Sequence, residues 1–177
     1  MPKIVDHDAL RADLARRAIP VFQAHGYHGI GMRKIAEALG VPKSSLYHYF
    51  PTKQDLFIAC TEALALAPAA ADPDPVAALA AMIAGMEERF GGELRLIVDY
   101  IGARSGAEIA GDAALKLYRE RMDAAIVQAV GPDRLPLARA LIYGVLLDRW
   151  LAGRADGDDE LHALLDAALR AHATDTE

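Results

Sequence analysis

The sequence predicts an all-α protein. Three observations carry this: β-branched and aromatic residues are sparse and do not alternate with polar ones, Ala, Leu, Arg and Glu dominate, and apolar residues recur at three- and four-residue intervals between Gly and Pro stops. With 177 residues, 53% of them apolar and 25% charged, the chain has material for one large or two small domains with a buried core.

Each element has its own signal. Residues 8–25 place Leu10, Leu14, Ala18 and Phe22 near one face ahead of Gly26, a first helix. Pro20 lies inside it, which removes a hydrogen bond to the Arg16 carbonyl and costs about 3 kcal/mol or a kink. Residues 32–39 form a short second helix ended by Gly40, and residues 43–50 a third, with only Gly40-Val41-Pro42 between them. That spacing is a helix-turn-helix. Thr52 caps a fourth helix, where Leu56, Cys60, Ala63 and Leu64 share a face, and residues 67–75 (APAAADPDP) are the clearest linker.

Beyond the linker, Val76, Leu79, Ile83, Met86 and Phe90 stripe a helix closed by Gly91-Gly92, and residues 94–101 give a short apolar helix. Leu115, Tyr118, Met122, Ile126 and Ala129 stripe a longer one, stopped by Gly131-Pro132. Asp133 is placed to cap the next, with Pro136 tolerated in its first turn, through Leu141, Val145 and Trp150 to Gly153. The last runs over 158–173, its first acidic residues complementing the helix dipole. The domain boundary is expected inside the fourth helix, dividing the chain into 1–56, with the helix-turn-helix at 32–50, and 57–177.

Charge divides the same way. The net charge is −6, yet residues 1–56 hold eight Lys/Arg against five Asp/Glu, for +3, and the remainder holds eleven against twenty, for −9. Only the first part suits a polyanion. No uncharged stretch approaches the roughly 20 apolar residues of a membrane span. The N-terminus lacks an apolar secretory core, and the lone Cys60 cannot form an intrachain disulfide, so a cytoplasmic location is expected.

No nucleophile–base pair, Gly-rich phosphate loop or metal-ligand spacing appears, which argues against an enzyme and against a bound metal or cofactor. His25 and His28 are three apart, but Gly26 breaks the helix between them. His162 and Asp166 read as a solvated helix face, and Cys60 as a small core hydrophobe.

The informative stretch is 26–57, GYHGIGMRKIAEALGVPKSSLYHYFPTKQDLF. Ile35, Ala36, Val41, Leu46 and Phe50 supply the small and apolar contacts where two helices cross. Helix three then carries Lys43, Ser44, Ser45, Tyr47, His48 and Tyr49, a polar set ill suited to mere packing. Gly26-Tyr27, Ile35-Ala36 followed by Gly40-Val41, Leu46-Tyr47-His48-Tyr49-Phe50, and Lys53 with Leu56 closely resemble the DNA-binding domain of the TetR family of bacterial regulators. The resemblance covers about the first third of the chain. It implies that helix three enters the major groove, that Tyr47 and Lys53 bind phosphate, that Arg33 touches phosphate or base, and that Lys43, Ser44, Ser45 and His48 read base edges, with Tyr49 a further DNA-facing candidate. Two positions depart from the family pattern: Gly31 and Pro42 stand where Ser or Thr commonly caps helices two and three.

For the second domain the resemblance implies a homodimer on a palindromic double-stranded operator, and a small-molecule effector that releases a repressor from it. An effector-independent regulator or an activator is the alternative. Met82, Met86, Phe90, Tyr100, Tyr118, Met122 and Trp150 are candidate pocket residues, although their helical spacing equally suits plain core. Arg95, Asp99 and Arg149 are candidate polar anchors. The apolar face of Leu141, Val145, Leu161, Leu165 and Leu169 is the candidate dimer interface.

Overall fold

A computed structural model describes residues 6–63, 73–153 and 158–174, so most of the expected linker lies outside the described residues. The described elements are all helical: α1 (His7–His25), α2 (Met32–Leu39), α3 (Lys43–Tyr49), α4 (Lys53–Ala63), α5 (Pro75–Ile101), α6 (Gly106–Gly111), α7 (Ala113–Val130), α8 (Leu135–Ala152) and α9 (Asp158–Thr174). They fall into two compact units. One holds α1–α4 with residues 92–118, and the other holds residues 75–91 of α5 with the chain from Arg119 onward.

The first unit is built on Leu14, Ala18, Phe22, Ile35, Leu46, Phe50 and Leu56, all fully or almost fully buried. Asp6 opens α1 by accepting the N–H groups of Asp8 and Ala9. Pro20 sits inside α1 on its solvent side, and the helix continues to His25. Thr52 and Asp55 cap the start of α4 reciprocally: the Asp55 carboxylate accepts from Thr52 N–H at 2.9 Å, and the Thr52 hydroxyl accepts from Asp55 N–H at 3.1 Å. Helix α5 contributes Tyr100 to this unit, stacked on Phe57 with ring centroids 4.3 Å apart and edge-on to Tyr27 at 4.7 Å. Its hydroxyl donates to Asp112 at 2.8 Å, and Arg104 reaches the same carboxylate at 3.0 Å. The other Asp112 oxygen accepts from the N–H groups of Ala114 and Leu115, capping α7.

Burial pushes the Asp112 carboxyl up, but the Tyr100 hydroxyl, those two backbone N–H groups and the Arg104 guanidinium together hold it below the usual carboxylate range. Burial first, and the Asp112 hydrogen bond second, push the Tyr100 hydroxyl up to about 12.

The second unit buries Leu79, Ile83, Met122, Ile126, Ile142 and Leu146. Arg149, almost fully buried, pairs with Glu87 at 3.4 Å, and Arg139 with Asp123 at 2.7 Å.

Four expectations are corrected here. Gly91-Gly92 does not end a helix; both lie within the 27-residue α5. The reason is tertiary, since the Trp150 indole occupies the space a Cβ at Gly91 would need, and the packing gained offsets the roughly 1 kcal/mol that glycine costs a helix. Helix α6, which periodicity missed, is fixed by a Ser105/Glu108 capping box. Its Ser-x-x-Glu signature is legible in the sequence. Helix α8 is preceded by Arg134, with no side-chain cap, rather than by Asp133. Leu161, Leu165 and Leu169 face inward and are at most 5% exposed within their own chain. They fill the chain's own core, while Leu141 and Val145 are half-buried.

Candidate nucleic-acid interface

Helix α2 turns Met32, Ile35, Ala36 and Leu39 inward and leaves Arg33, Lys34 and Glu37 in water. Gly40 follows at φ 67°, ψ 31°, the left-handed conformation that residues with a Cβ adopt only at a cost. Its N–H donates to the Glu37 carbonyl at 3.1 Å, and the Val41 N–H to the Ala36 carbonyl at 3.0 Å. These two bonds form a Schellman turn, which satisfies the end of α2 and redirects the chain into α3. Arg17 of α1 donates to the Leu39 carbonyl, closing the same helix end from the side.

Helix α3 is seated by Leu46 and Phe50, both fully buried. With these two side chains locked in the core, the opposite face has a fixed orientation. Lys43, Ser44, Tyr47 and His48 are exposed there, while Ser45 and Tyr49 are half-buried. The Lys43 ammonium lies 5.5 Å from the Tyr47 ring centroid. Neither α2 nor α3 has a side-chain N-cap: Gly31 and Pro42 offer none. Arg33 is exposed and lies 3.7 Å from Glu37, a pair that water screens to little net energy.

Two further expected DNA ligands, Lys53 and Tyr49, hydrogen-bond within the protein. The Lys53 ammonium donates to the carbonyls of Tyr27 at 2.7 Å and Ile30 at 3.1 Å, and lies 4.3 Å from the Tyr27 ring centroid. Burial lowers its pKa against an opposing pull from Asp99. Two of its three N–H donors are therefore engaged in holding the α1–α2 turn. On the other side of that turn Asp99 accepts the His28 N–H at 3.0 Å. Tyr49 bonds through its hydroxyl to the His7 Nδ1 at 2.9 Å, and His7 meets His48 edge-on at 6.3 Å between ring centroids. The sequence places His7 in the basic part of the chain but does not link it to Tyr49, since no local signal connects residues 42 positions apart.

Of the candidate pocket residues, Met82, Met86, Phe90 and Met122 are buried in the second unit, Tyr100 belongs to the aromatic cluster of the first, and Trp150 is 42% exposed. Only Tyr118 of the seven lines the partly open cavity in the first unit. Asp99 and Arg149 serve the structural contacts above, and Arg95 is exposed. Among the described residues no group of three or more His, Cys, Asp or Glu is placed to hold a metal, and no helix is long and apolar enough to cross a membrane.

Residues 14–60 match the family model described as bacterial regulatory proteins, tetR family. The chain is 40% identical over 68 residues to the HTH-type transcriptional regulator RutR of Escherichia coli K12, covering 37% of this chain and 32% of RutR. It is 42% identical over 52 residues to the HTH-type transcriptional activator FasR of Mycolicibacterium smegmatis, covering 29% of this chain and 24% of FasR. The matched region thus spans a third or less of these relatives. Two solved structures share the fold over nearly the full length. The multidrug binding protein EbrR, crystallised with imidazole, superposes with a TM-score of 0.64 at 20% identity, covering 92% of this chain and 90% of its own. A TetR transcriptional regulator from Rhodococcus sp. RHA1 superposes with a TM-score of 0.59 at 20% identity, covering 94% and 97%.

Proposed function

We propose, from the match of residues 14–60 to the model of the tetR family of bacterial regulatory proteins, that the chain is a sequence-specific DNA-binding transcriptional regulator acting in the cytoplasm. The observation that carries this is the α3 face, where Lys43, Ser44, Tyr47 and His48 stand in water on a helix locked by Leu46 and Phe50. Lys43, Ser44, Ser45 and His48 address base edges, while Tyr47 addresses phosphate and Arg33 phosphate or base. Lys53 has one N–H left for a phosphate, and Tyr49 contributes through its contact with His7. We assign DNA binding to residues 1–56, and effector binding and dimerisation to residues 57–177.

Two chains pairing on a palindrome present two α3 helices about 34 Å apart, one turn of DNA. The residues best placed to pair them are the outward apolar ones of α8 and α9. Leu147, Leu151 and Leu164 are 41%, 70% and 50% exposed, against inward Leu161, Leu165 and Leu169. Leu141 and Val145 flank that face. We read the chain as a repressor that a small molecule releases; EbrR, which shares the fold, is a multidrug binding protein crystallised with imidazole. A second reading, an effector-independent regulator or an activator, is favoured by the small size of the cavity in the first unit, about 40 Å³.

Selection of bound sequences from a random duplex pool tests the central claim. Enrichment of a palindrome with half-sites one helical turn apart is the expected result, and no enrichment at low salt rejects it. Lys43→Ala is expected to relax preference at one base position, with a discrimination loss of about 1–3 kcal/mol. A uniform loss across sequences would reassign Lys43 to phosphate.

A further inference from the structure

The partly open cavity in the first unit is walled by α1 and α4, which flank the helix-turn-helix, as well as by α5 and α7. Ile19 and Phe22 come from α1, Phe57 and Cys60 from α4, and Ala114 and Leu115 from α7. None of these six belongs to the residues that sequence patterning singled out for a pocket. Its wall is almost entirely carbon. Thr61 also lines it, but its hydroxyl is turned to the Phe57 carbonyl at 3.1 Å, and the Cys60 thiol is turned to the Ala15 carbonyl at 3.3 Å. Burial pushes that thiol up to about 12, so at neutral pH it presents a neutral, unreactive surface. Glu93, a nearly buried carboxylate, lies in the same lining.

We propose that this cavity is the effector site, and that it takes a small, neutral, apolar molecule of only a few heavy atoms. The inference rests on the effector-responsive reading above and gives that effector a place and a chemistry. Three physical points select the class. A dry apolar void leaves its lining atoms without contacts on one side, and only an apolar occupant restores them without stranding polar groups. Gln23 and Tyr118 also line the cavity, but no Lys, Arg or His does, so an anion would enter a mostly carbon-lined space beside the Glu93 carboxylate without a cation to pair with. About 40 Å³ exceeds what one water needs and falls well below the 150 Å³ or so that admits benzene, which bounds the occupant to a handful of atoms.

Location gives the consequence. Phe22 is a core residue of the helix-turn-helix segment, stacked at 6.0 Å on Tyr27, whose carbonyl Lys53 holds. Phe57 meets Phe22 edge-on at 5.4 Å. An occupant therefore bears on the packing that seats the α1–α2 turn, and it weakens operator binding by favouring a different arrangement of that packing.

The test uses the full chain with methyl-labelled Ile and Leu. Xenon and dichloromethane serve as neutral probes, with methylammonium and acetate as charged probes of similar size. Resonances of Ile19, Ile97 and Leu115 are expected to move with the neutral probes only, and saturation is expected to lower affinity for the selected operator about tenfold. Ala114→Leu and Cys60→Leu each fill the void, and either variant is expected to abolish both responses while retaining operator binding. Ala124→Leu, on the exposed face of α7, is the control that retains them. Unmoved methyls in the wild type overturn the site, as does equal binding of acetate. Methyl shifts with unchanged operator affinity overturn its regulatory role. Because the methyl shifts need no DNA, failure of the chain to select an operator is a separate result that rejects the function proposed above.

Discussion

At the scale of single residues, Lys53 shows how one side chain carries two demands. A cation at the start of α4 suits a phosphate, yet its ammonium is held by the Tyr27 and Ile30 carbonyls. Hydrogen bonds to a charged group contribute about 1.5–3 kcal/mol each net of exchange with water, and Lys53 is only half-buried, so Lys53→Met is expected to lower stability in urea by about 1–3 kcal/mol. A variant of unchanged stability, whose affinity loses about one unit of salt slope, would instead make Lys53 a phosphate ligand alone. Asp112 gives a pH dependence. Its folded pKa lies below the unfolded value of about 3.9, so its contribution is fully present above that pH and is lost as pH falls through the folded value. The stability gap between wild type and Asp112→Asn is therefore expected to be constant from pH 7 to about pH 5 and to narrow below about pH 4. A gap that widened on acidification would contradict the assignment. Neither role was legible in the sequence, because each depends on partners brought together by folding.

Among the elements, the helix-turn-helix was the most legible, and the reason is local. Gly40 takes a positive φ that its neighbours cannot, and the Ala36, Leu46 and Phe50 spacing follows from helix geometry alone. No atom lies within 4 Å of a Cβ built at Gly40, so Gly40→Ala is strained only through its backbone. It is expected to cost about 1–2 kcal/mol, with Gly40→Asn costing less, by thermal or urea unfolding. Equal stability of all three would mean that the turn relaxes into another conformation. The misread elements share a different cause. Gly91-Gly92 stays helical because Trp150 packs on Gly91, a contact 59 positions away. The Leu161, Leu165 and Leu169 stripe was seen correctly as apolar, but a stripe does not say whether its own chain or a partner covers it. Helix α6 had its Ser105/Glu108 signal in plain view, and short elements with no buried residue leave no periodicity to draw attention to it.

For the whole molecule, the charge split bears on how a DNA-binding chain of net charge −6, as proposed above, would approach its target: residues 1–56 carry +3 and suit a polyanion, which the rest, at −9, would repel. Repulsion of that kind disfavours nonspecific adsorption by the second domain and leaves the first to make contact. Pairing of two copies is tested by Leu151→Glu combined with Leu164→Glu, which is expected to give a folded monomer by light scattering and circular dichroism. Leu165→Glu, by contrast, buries a charge in the core and is expected to unfold the chain. A double variant that stays dimeric would move the interface elsewhere. The Trp150–Gly91 contact has one more consequence, an optical one. Trp150 is the chain's single tryptophan, and its indole is pressed against α5 on one side and open to water on the other. Emission excited beyond the tyrosine absorption band therefore comes from one place, and any event that parts α8 from the first half of α5 shifts that emission toward the red.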